Sequence, residues 1–218
     1  MGWAEFAAAF AVFFVSHSVP VRPRVRAFLV QHLGPRGFTL AYSALSLAVL
    51  TWVIGAAGRA PYVPLWQWAP WQNHVVLVVM ALVCLLLALS IGRPNAFSFG
   101  GARNQDFDPH VPGIIRLHRH PLLLALGLWA FAHTLPNGDL AHVILFGVFG
   151  VFALLGQKII DRRKQRIMGA EWGALWAQTR ASRLHLGILT PVRVFAGILL
   201  YGFLIWLHPT VFGVSPLT

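Results

Sequence analysis

The sequence predicts an all-α integral membrane protein with about six transmembrane helices, both termini outside, and an additional interfacial helix on the cytoplasmic side. Three observations lead there. Hydrophobic residues make up 57% and charged residues 11% of the 218 residues, with a mean hydropathy of +0.68; one soluble core cannot hide that much apolar surface. Apolar runs near the length of roughly 20 residues that a bilayer core requires recur about six times. Basic residues crowd alternate links between those runs, as membrane topology demands. The formal charge of +11 therefore reads as topology, and no nucleic-acid partner is expected.

The runs cover 3–19, 38–57, 74–91, 114–135, 140–155 and 192–214, within a single transmembrane domain over 1–218. No Lys or Arg precedes Arg22, whereas a cleavable signal peptide carries its positive charge ahead of its apolar region; the first run is read as a retained span. The fourth run opens on Arg116, His118, Arg119 and His120, followed by Pro121. Proline removes a backbone donor and biases the preceding residue away from helical geometry, so the helix either starts afresh at Pro121 or bends there. Cys84, the lone cysteine, lies within an apolar run and reads as a small buried hydrophobe.

The first link carries Arg22, Arg24, Arg26 and Arg36. The third carries Arg93, Arg103, Arg116 and Arg119, and the fifth Lys158, Arg162, Arg163, Lys164, Arg166, Arg180 and Arg183. The second has only Arg59 and the fourth none. Links one, three and five are thus predicted cytoplasmic, with Trp66, Trp68 and Trp71 marking the outer interface. Segment 93–112, with Asp106 and Asp108, is long enough to suggest a functional loop. Trp172, Leu175 and Trp176 lie at helical spacing in 169–180, beside a basic run. That segment is predicted to lie along the inner membrane surface with its aromatic side in the headgroups.

Polar groups in an apolar chain face a cavity, a partner or a ligand. By depth, His17, His110, His118 and His120 form an inner group and His74, His133 and His142 an outer one; His133 stands about 20 Å beyond His120 along a helix. Neutral imidazole ligates haem iron, zinc, copper and non-haem iron, or else donates a hydrogen bond to a neighbouring helix. His32, His185 and His208 read as interfacial. Arg116 and Arg119 either reach to the inner headgroups or grip an anionic group such as a haem propionate. Glu5, early in the first span, reads as outer-interface. No Ser-His-Asp set, P-loop or dinucleotide fingerprint stands at plausible spacing.

Three pieces carry a family resemblance: SHSVPVRPRVRAFLVQHLGPRGF, PGIIRLHRHPLLLALGLWAFAHTLPNGDLAH and DRRKQRIMGAEWGALWAQTR. With their RHP, LWAFAH and NGD spacing, the chain resembles the NnrU family of bacterial membrane proteins, associated by gene context with denitrification and nitrogen-oxide metabolism. That family is similar to zeta-carotene isomerase, a haem b membrane enzyme. The resemblance implies haem b in a bacterial inner-membrane protein, with axial ligands at the positions of His17 and His133. It implies a nitric oxide or hydrophobic polyene ligand, and redox, sensing or cis–trans isomerisation chemistry. Arg116, Arg119 and His120 would form a polar site at the inner mouth. Depth alone would instead pair His17 with His120. A fainter similarity, in GIIRLHRHP and a later Gly-x-x-Trp, is to isoprenylcysteine and phospholipid methyltransferases. It would make Arg119 and His120 ligands of S-adenosylmethionine, although the downstream glutamate of that pattern is at best Asp161. A non-catalytic assembly partner of nitrogen-oxide enzymes is the third reading.

Overall fold

The computed structural model describes residues 2–183 and 189–218; His185 lies outside them. Seven α-helices follow one another: α1 (Gly2–Ser18), α2 (Pro23–Arg59), α3 (Pro70–Ser90), α4 (Pro121–Thr134), α5 (Leu140–Met168), α6 (Ala170–Ala181) and α7 (Pro191–Phe212). Single 3₁₀ turns at Asn104–Asp106 and Gly113–Arg116 precede α4. Helices α2, α3, α5 and α7 are each long and apolar enough to cross a membrane. Helix α1 has 17 residues and α4 only 14, about 21 Å of rise against a hydrocarbon core of about 30 Å.

Several boundaries differ from the sequence reading. Residues 114–120 do not extend α4, which starts afresh at Pro121; proline is suited to the first helical position because its missing N–H would have no partner there. The basic first link is largely helical: α2 begins at Pro23 and is broken at Gly34 (φ 71°, ψ 165°), just before Pro35. Helix α5 runs beyond its apolar part into the basic segment as far as Met168.

The chain divides into two compact units. The first comprises Met1–Trp66 and Gly138–Leu145. Helix α1 packs on α2, and its buried residues Phe6, Ala9, Phe10 and Phe13 follow the i, i+3, i+4, i+7 spacing of one helix face. Val49, Val53, Ala56 and Ala57 are buried on α2. Small residues let helices approach closely where lipid supplies no hydrophobic drive. Glu5 is ion-paired with Arg59 and accepts a bond from Trp52 Nε1 at 3.3 Å. The carbonyl of Gly138 accepts N–H bonds from Leu65 (2.7 Å) and Trp66 (3.2 Å), and Leu140 N–H donates to Val63 O at 2.9 Å.

The second unit comprises Gln67–Asn137 and Phe146–Thr218. Helix α3 packs against both α4 and α7. Close approach to α7 is allowed by Gly197, where a Cβ would sit 3.3 Å from Leu85 Cα. Arg193 Nη1 donates to Ala88 O (2.7 Å) and Ile91 O (2.9 Å), satisfying carbonyls that the end of α3 leaves open. The core gathers Val83, Leu86, Leu89, Phe97, Ile114, Ile115 and Ala125, with Trp172, Leu175 and Trp176 packed against it. The aromatic side of α6 therefore packs into protein, which corrects the expectation that it would lie in the headgroups.

A side chain at Gly138 would run into the carbonyl oxygen and indole of Trp66. Gly138→Ala is expected to lower stability by about 1–3 kcal/mol, the usual cost of overpacking, read as a lower melting temperature in detergent. An unchanged melting temperature would contradict this packing.

Candidate functional site

The site is built from the short stretch before α4. His120, in a non-helical conformation (φ −119°, ψ 59°), is carried inward ahead of Pro121 and is only 1% exposed. Its Nε2 lies 2.9 Å from Asp161 Oδ1 and its Nδ1 3.0 Å from Ser98 Oγ. A carboxylate can only accept, so Nε2 carries a proton; Nδ1 of the neutral ring then accepts from the serine hydroxyl. Arg119 grips the same carboxylate: Nε reaches Oδ1 at 2.9 Å and Oδ2 at 3.1 Å, and Nη2 reaches Oδ2 at 2.6 Å. Its guanidinium carbon lies 5.5 Å from the Trp172 ring and 5.0 Å from that of Trp176, within cation–π range. Trp172 Nε1 is buried with no hydrogen-bond partner among the described residues.

The 93–112 loop locks this arrangement. Asn95 Oδ1 accepts the N–H groups of Phe97 (2.9 Å) and Ser98 (3.1 Å), and Asn95 Nδ2 donates to Arg119 O at 3.0 Å. Asn104 Oδ1 accepts the N–H of Asn95 at 2.9 Å. Phe97, fully buried, packs edge-on against Phe107, Trp172 and Trp176. The loop is thus built into the core, whereas its carboxylates Asp106 and Asp108 face outward.

Electrostatics follow from burial. His120 is held below the ordinary histidine range by burial, which outweighs the pull of the Asp161 carboxylate toward the charged form. His118 is lowered as well, by burial first and then by its neighbours His120, which could not be charged beside it without cost, and Arg119. The folded state therefore prefers neutral imidazoles.

Sequence spacing gave no sign of a Ser-His-Asp set, yet Ser98, His120 and Asp161 form a continuous hydrogen-bonded chain. Ser98 is 4% and His120 1% exposed, so no substrate reaches the hydroxyl; the chain is a clasp, not a nucleophile. Asp161 is the main residue that sequence reasoning undervalued. The one signal, a lone acid within a basic run, is equally that of a solvated surface acid. Ser98 and Asn95 left no such signal.

The other candidates are held by bonds of their own. Arg116 Nε donates to Ser182 O at 2.6 Å. His17, in the first unit, places Nδ1 2.8 Å from Phe13 O and stacks on the Phe13 ring at 4.1 Å. His133, in the second unit, places Nδ1 2.8 Å from Trp129 O, with its ring 5.4 Å from Trp129 and 5.5 Å from Phe146. A carbonyl only accepts, so both neutral rings carry the proton on Nδ1 and the lone pair on Nε2. That is the tautomer an iron-ligating histidine needs, with its other nitrogen tied to a backbone carbonyl. Each histidine taken by itself thus fits an axial haem ligand. Exposed His32 adopts the same local bond, so the pose alone is not specific. His142 bonds Asp139 Oδ2 at 2.7 Å, while His74 and His110 are exposed. Among the described residues no three or more His, Cys, Asp or Glu side chains group as metal ligands.

Comparison with known proteins gives one family: its model, described as NnrU protein, matches residues 5–216. No curated protein and no solved structure matches the chain.

Two outcomes test the cluster. Asp161→Asn strips Arg119 of its counter-charge and is expected to cost about 2–3 kcal/mol, less than a fully buried pair because Arg119 keeps 30% side-chain exposure; a melting temperature equal to wild type would refute the pairing. A lowered histidine pKa contributes stability that is present above about pH 6.5 and lost as pH falls through the folded value. Thermal stability in detergent should therefore decline between pH 7 and 5, with a shallower slope in His120→Gln. A flat profile for wild type would count against the buried neutral imidazole.

Proposed function

The chain belongs to the NnrU family, and on that premise we propose that it is an inner-membrane haem b protein with His17 and His133 as axial ligands, serving nitrogen-oxide metabolism or a carotenoid-type cis–trans isomerisation. What supports this reading is the resemblance at these two positions, with which the tie of both imidazoles, shared by exposed His32, is compatible. Nδ1 of each is 2.8 Å from the carbonyl four residues earlier, leaving Nε2 as the lone-pair donor. The lack of any grouping of three or more ligands among the described residues favours a haem, which needs only one or two axial donors, over a bare ion held by protein alone.

When bound, haem would supply electron exchange, and chemistry toward nitric oxide or a polyene would require one of the two histidines to leave the iron, since two axial ligands fill its open positions. The protein's own groups do the rest. The carbonyls of Phe13 and Trp129 hold the two rings in the ligating tautomer and raise their basicity. Trp129 and Phe146 pack against the ring of His133. The methyl-donor alternative loses support from the same geometry, since both nitrogens of His120 are engaged and the side chain is buried.

The absorption spectrum of the purified protein, oxidised and reduced, tests the reading. Wild type is expected to show a Soret band with sharp reduced bands, weakened in both His17→Ala and His133→Ala and retained in His120→Ala. A colourless wild type after expression with ample haem would overturn the proposal. Loss in His120→Ala but not in His133→Ala would reassign the ligands.

A further inference from the structure

The rim of the Asp161 cluster holds more positive charge than the protein answers. Arg180 stacks its guanidinium carbon 5.9 Å from the Trp176 ring, the same indole that Arg119 covers at 5.0 Å. Arg116 reaches the end of this helix through Ser182 O. Three arginines thus contact the Trp176–Ser182 stretch, and of these only Arg119 is paired with a carboxylate. Both oxygens of Asp161 are occupied by His120 and Arg119. Among the described residues the ion pairs are Glu5–Arg59, Asp161 with Arg119 and His120, and Asp139–His142, so Arg180 has no carboxylate partner. Nη1 of Arg119 takes no part in the bonds to Asp161. His118 Nδ1 accepts the His120 N–H at 3.2 Å, which leaves Nε2–H of the neutral ring without an acceptor. What these three side chains present at the rim is donors.

Guanidinium groups bind phosphate in bidentate fashion and stack on aromatic rings at the same time. We propose that Arg119 and Arg180, which share the Trp176 indole, with His118 beside Arg119 in the chain, form a binding site for a phosphate oxyanion, presented either by a lipid headgroup or by soluble phosphate. Several donors from separate directions suit a tetrahedral oxyanion better than a planar carboxylate. Asp161 acts as an internal counter-anion that keeps Arg119 in place and moderates affinity. The site does not depend on the haem reading, and it stands or falls separately.

The test uses the full-length purified protein. One arm titrates inorganic phosphate calorimetrically at constant ionic strength; the other measures, by native mass spectrometry, retention of phosphatidylglycerol over phosphatidylcholine after release from nanodiscs of equal composition. Saturable phosphate binding without lipid preference identifies a soluble ligand, and selective phosphatidylglycerol retention without phosphate heat identifies a headgroup. In either case Arg180→Gln is expected to weaken binding about tenfold, the scale of one charge-assisted contact. Arg163→Gln removes the same charge from the exposed basic face of α5 and should leave binding unchanged. Failure to retain either probe, or equal weakening by Arg180→Gln and Arg163→Gln, would overturn the proposal.

Discussion

The carboxylate of Asp161 is the constraint around which the second unit is arranged. It accepts both the fork of Arg119 and the ring of His120, and neither group could be held inward without it, because an unpaired buried charge or donor costs several kcal/mol. The bonds continue from there. His120 reaches Ser98, the Ser98 backbone reaches Asn95, and Asn95 returns to the carbonyl of Arg119. A ring of hydrogen bonds thus joins α5, the 93–112 loop and the start of α4. Each member removes an unsatisfied polar group from a region with little water to satisfy it.

Aromatic packing completes this polar ring. Trp172 and Trp176 lie against Arg119 on one side and Phe97 on another. A guanidinium is only weakly hydrated on its faces, so indole rings cover it at little cost while its edge bonds the carboxylate. Helix α6 is thereby recruited into the protein core and brings Arg180 to the same indole. The cation surplus at this rim is therefore a by-product of how the core is closed, and the proposed oxyanion site rests on it.

The histidines divide into two physical kinds. His120 spends both ring nitrogens within the protein and is a structural element. His17 and His133 spend one nitrogen on a carbonyl of their own helix and keep the other as a lone-pair donor. The distinction separates the methyl-donor reading, which would require a free nitrogen on His120, from the haem reading, which requires free Nε2 atoms elsewhere.

The sequence by itself determined the class of the protein and most of its helices. Apolar length and flanking charge are local properties, and lipid forces any spanning backbone into helices because no water can satisfy it otherwise. A break at Pro121 was legible for the same reason, since proline acts locally, but whether the helix restarts or bends there was left to the tertiary structure. The tertiary structure decided the rest. Asp161 stands 41 residues from His120 along the chain, and nothing local distinguishes it from a solvated acid in a basic run. Ser98 and Asn95 gain their roles only when the loop folds back onto α4. The aromatic side of α6 was expected to meet headgroups, because periodicity shows which residues share a face but not what covers that face. Only the packing of Phe97 and Arg119 against those rings determines that they meet protein.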